Sequence, residues 1–337
     1  MTIRVLVADD SATMRNALAK LLSGEPDLAI VGFAKDGVEA VEKARALRPD
    51  VITMDVDMPR LDGLGATSAI MREAPARVLV ICSVSEDRQL DLSFRAMAAG
   101  ALELIAKPSA GTEALRSWGR RVAESVRLMA EVPVVRRFTV GEGQPLPALE
   151  TVDLVAIVAS TGGPPALAQI LSGLRELGAP LLIAQHIAEG FTAGLVRWLA
   201  GVTPLQVSVA RDGEQPQPGH VYLPPDGCDL TVDTGRVLRA TRSSSLHCPS
   251  GNRLLQSVAK QYGARAAGLV LTGMGDDGAQ GLLSLRQAGG QTFAQDEASS
   301  VVYGMPQAAW ACGAAQQQLA LDLVPEVLRQ LCSIRKE

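Results

Sequence analysis

The sequence is poor in the features that would set it apart from ordinary globular proteins. Its five cysteines (Cys82, Cys228, Cys248, Cys312 and Cys332) are odd in number, scattered, and include no Cys-x-x-Cys pair. That excludes a disulfide framework and the usual zinc-binding spacings. No apolar run approaches the roughly 20 residues that a membrane span requires. The opening residues, MTIRVLVADDSATMRN, carry acids where a secretory leader needs an apolar core and a small-residue cleavage site. A cytoplasmic protein without membrane insertion is therefore expected. Nor is there an excess of positive charge: 32 Lys and Arg against 36 Asp and Glu leave a net charge of −4, which gives no electrostatic basis for binding nucleic acid. Histidine is scarce as well, with only three in the chain.

What is present supports two cores. The chain of 337 residues is longer than the roughly 250–300 that one core serves. Residues 1–125 alternate apolar runs with helical periodicity. Strands are expected at Arg4–Ala8, Leu28–Ala34, Val51–Asp55, Val78–Ser83 and Leu102–Ala106, and helices at 14–23, 37–47, 64–73, 88–99 and 112–129. Five such units make a doubly wound, flavodoxin-like parallel sheet, whose functional groups gather at the carboxyl ends of strands. Asp9, Asp10 and Asp55 fall at such ends, and Lys107 follows the last strand. Three carboxylates at one mouth repel unless a cation lies among them, and oxygen ligands of this kind suit Mg²⁺. Residues 126–150 lose periodicity and carry prolines and glycines, as an interdomain linker does.

From residue 151 a second α/β domain, with a mostly parallel sheet, is expected to extend to 337. Its first strand, Leu154–Ala159, delivers Ser160 to a carboxyl end, where Thr161, Gly162 and Gly163 turn the chain sharply and Pro164-Pro165 open a helix. Backbone N–H groups and a helix N-terminus beside a hydroxyl could hold an oxyanion. Alone, the same corner also fits a serine helix cap on a glycine turn. Two further elements favour chemistry. The run PLLIAQH ends on His186, whereas His220 sits in a Pro-Gly loop and His247 in a polar stretch, neither placed by a strand end. The strand Leu269–Leu271 opens into TGMGDDG, which carries two acids. A serine, a base and an orienting acid on neighbouring strand ends are the parts of a hydrolytic triad. By itself TGMGDDG could equally start a capped helix or cradle a phosphate.

These motifs carry two resemblances. ADDS at 8–11, MDVDMPRLDG at 54–63 and AKP at 106–108 resemble the receiver domain of two-component response regulators. The resemblance implies Asp55 as phospho-acceptor and Asp9, Asp10 and Asp55 as Mg²⁺ ligands, with the backbone carbonyl of Asp57, and Lys107 as the phosphate contact. A sensing hydroxyl would be Ser83, with Cys82 as the other choice. The switch position, often aromatic, is Leu104. Together with ASTGG, QHI, LTGMGDDG and QDEASSVVYGMP, the whole chain resembles the chemotaxis protein-glutamate methylesterases. That family implies Ser160, His186 and Asp277, rather than Asp276, as the triad. It also implies a pocket of Thr161, Gly162, Met274, Phe191 and Thr192, with the Met274 N–H near the oxyanion.

The activity so implied is phosphorylation-activated hydrolysis of glutamate γ-methyl esters on the cytoplasmic helices of chemoreceptors, with glutamine deamidation as a second reaction. A histidine kinase would be the phosphodonor, no cofactor would serve hydrolysis, and a monomer is expected. The alternative is a response regulator whose output domain acts by binding a partner. The chain departs from the family pattern at Val158, usually glycine, at Ala188, commonly proline, and in the stretch HCPSGN near 247.

Overall fold

Runs of aliphatic residues too apolar for a solvated face form the central strands of two separate units, within residues 1–136 and 137–337 of this computed structural model. It describes residues 2–83, 87–108, 112–131, 149–244 and 247–333. In the first unit β1 (Ile3–Ala8), α1 (Ala12–Leu22), β2 (Leu28–Ala34), α2 (Gly37–Leu47), β3 (Val51–Asp55), α3 (Gly63–Glu73), β4 (Arg77–Cys82), α4 (Asp87–Ala98), β5 (Glu103–Ala106) and α5 (Thr112–Glu131) alternate strictly. The strands pair in parallel in the order β2-β1-β3-β4-β5. Helices cover both faces, so Val5, Leu6, Val7, Ile52, Met54 and Val78 to Ile81 are all buried.

Helix starts follow the polar caps. Ser11, Asp36 and Asp62 accept the N–H of Met14, Glu39 and Gly65 through their side chains. Helix α5 continues to Glu131, beyond the expected boundary at 125. The cause is an apolar stripe at helical spacing, Trp118, Val122, Val126 and Met129, which keeps the last turns against the core. Residues 132–148 of the expected linker lie outside the described residues.

The second unit contains β6 (Leu154–Ala159), α6 (Gly163–Ser172), β7 (Leu181–Gln185), α7 (Thr192–Ala200), β8 (Gln206–Val209), β9 (His220–Leu223), β10 (Cys228–Asp233), β11 (Val237–Arg242), α8 (Gly251–Tyr262), β12 (Ala266–Val270), α9 (Ala279–Gln287), β13 (Gln291–Gln295), α10 (Met305–Ala311), β14 (Gln317–Leu319) and α11 (Val324–Leu331). Seven strands form a fully parallel sheet in the order β14-β13-β12-β6-β7-β9-β8, while β10 and β11 make a separate antiparallel ribbon.

Strand β12 starts three residues earlier than its aliphatic run suggests. Ala266, Ala267 and Gly268 pair with Leu154, Val155 and Ala156. Their smallness is a packing requirement: a Cβ on Gly268 would press into Leu282, Leu285 and Leu255, the side chains that α9 and α8 lay on the sheet. No helix among the described residues is long and apolar enough to cross a membrane.

Candidate functional site

In the first unit the strand order reverses between β1 and β3, and the acids collect there. Asp9 and Asp10 follow β1, Asp55 ends β3, and one ligand atom of each lies within 4.8 Å of the others. Lys107, just past β5, reaches Asp55 Oδ2 at 2.7 Å and Asp9 Oδ2 at 3.2 Å. One lysine does not satisfy this mouth. Burial pushes the Asp55 carboxyl up to about 6, against the pull of Lys107 and with the help of Asp9 and Asp10, and burial raises Asp9 too. Asp55 Oδ1 is buried without a hydrogen-bond partner. An unmet carboxylate oxygen among hard oxygen donors is what a small divalent cation fits.

The other first-unit positions separate by burial. Cys82 ends β4 wholly buried, its thiol pushed up to about 11 by burial, whereas Ser83 follows at the half-buried strand end. Leu104 lies in β5 and is 8% exposed, so it already packs inward. The Asp57 side chain is exposed, and its carboxylate is not among the three that cluster.

In the second unit β12, β6 and β7 are adjacent, so their carboxyl ends present Asp277, Ser160 and His186 side by side. Ser160 is fixed through its backbone. Its N–H donates to the Thr272 carbonyl at 3.0 Å, and its carbonyl accepts the Gly163 N–H at 2.8 Å and Gln185 Nε2 at 2.9 Å. Gly162 caps α6 at φ 76, and a Cβ there would strike Val301, so the sharp corner requires glycine. His186 continues from β7 with its N–H on the Ala159 carbonyl at 2.9 Å. Its Nε2 lies 2.8 Å from Asp277 Oδ2.

Asp277 is 3% exposed and sits over the N-terminus of α8. It accepts the N–H of Gly251 at 2.6 Å and of Asn252 at 3.0 Å. Burial works to raise its carboxyl, but the His186 bond and the two helix amides outweigh it and hold the group below its ordinary value. An ionised carboxylate accepts only, so Nε2 carries the imidazole proton and Nδ1 keeps the free lone pair. Its neighbour Asp276 is exposed.

Several supporting residues escape the sequence reading. Gln185 Nε2 also donates to the His186 carbonyl at 2.9 Å, tying the serine and histidine corners together. The Thr272 N–H donates to Gln295 Oε1 at 2.8 Å, and its hydroxyl donates to the Thr161 carbonyl at 2.9 Å. His247, set aside with His220 for want of a strand end, stacks on His186 with ring centroids 5.2 Å apart and planes 10° from parallel. A signal for it existed. Pro249-Ser250 ahead of an amphipathic run marks a helix start, and the residues before such a start share the site with the acid that the helix caps.

His220 instead opens β9 at the amino-terminal end of the sheet, where it lines a cavity of about 890 Å³ with Asp153, Pro180 and Gln206. Phe191 is fully buried and Thr192 is 5% exposed, its N–H on Asp226 Oδ1 at 3.2 Å, so both anchor the start of α7. Met274 is 58% exposed beside Gly273, whose missing Cβ makes room for Ser160.

Comparison with known proteins covers both units. Residues 155–328 match the model of the CheB methylesterase family and residues 5–117 that of the response regulator receiver domain. The protein-glutamate methylesterase/protein-glutamine glutaminase 3 of Myxococcus xanthus is 57% identical over 334 residues, covering 98% of this chain and 94% of that one. Protein-glutamate methylesterase/protein-glutamine glutaminase 2 of Anaeromyxobacter dehalogenans is 44% identical, covering 98% and 97%. Among solved structures, the catalytic domain of Thermotoga maritima CheB methylesterase matches with a TM-score of 0.51 at 33% identity, over 54% of this chain and all of that one.

The acidic mouth has a measurable consequence. A carboxyl raised from 3.8 to about 6 binds its proton more tightly in the folded state, so that contribution is full below about pH 4 and lost as the pH rises through 6. Asp55→Asn removes the cost of the ionised form. Amide exchange of β1 and β3 in the full-length protein should show the variant better protected than the parent at pH 7.5 without Mg²⁺, with the gap closing below pH 4. A gap that widens on acidification would contradict the assignment of burial as the dominant cause.

Proposed function

The chain belongs to the CheB methylesterase family, and from that premise we propose how its residues divide the work of a receiver-controlled esterase. Its activity is the hydrolysis of protein glutamate methyl esters and the deamidation of protein glutamines in chemotaxis signalling, under control of receiver phosphorylation. Our reading assigns residues 1–125, with the continuation of α5 to Glu131, to the phospho-acceptor domain, the following residues up to 150 to the linker and 151–337 to catalysis. Its substrates are chemoreceptors, and we assign the reacting groups to the cytoplasmic helices of those receptors, with the enzyme a cytoplasmic monomer.

The observation that carries the reading is the bond from His186 Nε2 to the buried, ionised Asp277, on the strand end next to that of Ser160. In this assignment Ser160 Oγ attacks the ester carbonyl carbon and its proton passes to Nδ1 of His186. Asp277 holds the ring and stabilises the cation that forms. The oxyanion is met by backbone N–H groups at Thr161, Gly162 and Met274. Collapse expels methoxide, which takes the proton from His186 and leaves as methanol. Water, deprotonated by the same nitrogen, then attacks the glutamyl ester on Ser160 and frees the γ-carboxylate. With a glutamine substrate the leaving group is ammonia and the rest is unchanged. Phe191 and Thr192 support the pocket from the start of α7.

In the receiver, Asp55 accepts the phosphoryl group from a histidine kinase and Lys107 balances its charge. Mg²⁺ neutralises phosphoryl charge when bound, and the carboxylates of Asp9, Asp10 and Asp55 with the carbonyl of Asp57 would hold it. Ser83 is favoured over the buried Cys82 as the sensing hydroxyl, and Leu104 takes the switch position. A purely partner-binding output domain leaves the ionised Asp277–His186 pair without a use.

Methanol release from methyl-labelled receptor membranes tests the assignment. Ser160→Ala, His186→Ala and Asp277→Ala should each lower kcat by about 10³-fold or more, and the triple variant should fall little further, since such groups act as a unit. Near-parental turnover of Ser160→Ala would remove the nucleophile. In the same assay, acetyl phosphate with Mg²⁺ should stimulate the parent and leave Asp55→Asn unchanged; equal stimulation of both would move the phosphorylation site elsewhere. His247→Ala should lower kcat by about two- to tenfold, the worth of one ring stack, and His247→Phe should recover most of it. Failure of the phenyl ring to recover turnover would mean that His247 acts by hydrogen bonding and not by stacking.

A further inference from the structure

Val158, which stands where the family pattern has glycine, is fully buried in β6 and faces the start of α8. A Cβ built on Gly251 would lie 2.2 Å from Val158 Cγ1 and 2.9 Å from Cγ2. Separations below 3 Å cannot be kept, so the strand and the helix approach this closely only because one of the two positions is bare. Gly251 is the first residue of α8 and is not among the glycines with positive φ. Its backbone suits any residue, and space is what demands glycine.

The contact lies directly behind the catalytic acid. The Gly251 N–H donates at 2.6 Å to Asp277 Oδ2, the same oxygen that lies 2.8 Å from His186 Nε2. The next amide, that of Asn252, holds Oδ1 at 3.0 Å, while Asn252 Oδ1 accepts the Gly281 N–H at 2.8 Å and fixes α9 to the same point. Moving the first turn of α8 away from β6 therefore moves both amides off the carboxylate. Bulk on the strand at Val158 is thus matched by its absence on the helix at Gly251.

We infer that Gly251 is a positioning residue for ester hydrolysis, acting through Asp277, and that Val158 and Gly251 form a single volume-matched pair. The inference rests on Asp277 being the triad acid. In the full-length protein with methyl-labelled receptor membranes, Gly251→Val should lower kcat by about tenfold to 10²-fold, as a sub-ångström to ångström displacement does, with KM within about twofold. Adding Val158→Gly should return kcat to within about threefold of the parent, a rescue that general destabilisation would not give. If Gly251→Val does not fold, Gly251→Ala with and without Val158→Ala makes the same comparison, with circular dichroism melting confirming folded protein at the assay temperature. Parental kcat in the folded single variant, or a folded double variant no better than the single, overturns the inference. Asp277→Asn in parallel separates the two levels: if it keeps parental turnover, the triad reading itself has failed; if it is inactive while the Gly251 variants are normal, only the pairing has.

Discussion

A buried carboxylate held by the first amides of a helix is the constraint on which the second unit depends. Asp277 is removed from water, and the His186 ring, the Gly251 and Asn252 N–H groups and, at 3.4 Å, the Ser250 hydroxyl make its ionised form tolerable there. For those amides to arrive, α8 must begin against β6, and for His186 to arrive, β7 must flank β6 on the other side. The small residues of β12, the glycine corner after Ser160 and the Thr272 carbonyl that receives the Ser160 N–H all serve that same closeness.

The first unit places buried acids at the same kind of strand end and leaves them in the opposite condition. Asp55 has one lysine and an unmet oxygen, and burial prevails, so its carboxyl is raised where that of Asp277 is lowered. The contrast follows from what each group is for under the proposed assignment. An acid that orients a base must keep its charge in every state, whereas a phospho-acceptor gains by being incomplete until a cation and a phosphoryl group complete it.

Much of this was legible before any coordinates. Strand ends are readable from apolar runs, so Ser160, His186, Asp9, Asp55 and Lys107 could be placed by pattern alone. The choice of Asp277 over Asp276 could not, because it depends on which carboxyl turns under α8, and only the family likeness separated them. His247 showed only through the helix start signalled by Pro249-Ser250, and Gly251 not at all, for a related reason: their roles arise where a helix start folds back over strands distant in sequence. The early start of β12 was hidden because alanine and glycine carry little strand propensity, and their smallness shows its purpose only against Leu255, Leu282 and Leu285.

The position of β6 in its sheet also shapes how the protein is made. One neighbour, β7, follows within a few dozen residues, but the other, β12, lies beyond two more helices, two further parallel strands and the antiparallel ribbon. On the ribosome, at roughly 5–20 residues per second, the strand bearing Ser160 therefore waits seconds for its second partner, its backbone edge open and strongly apolar. Under the proposed assignment the nucleophile, Ser160, is synthesised long before the acid that completes it, Asp277, so the nascent chain would have no hydrolytic centre until most of the unit has emerged. The same interval is when the chain is most exposed to mispairing, since parallel contacts of such long range form late.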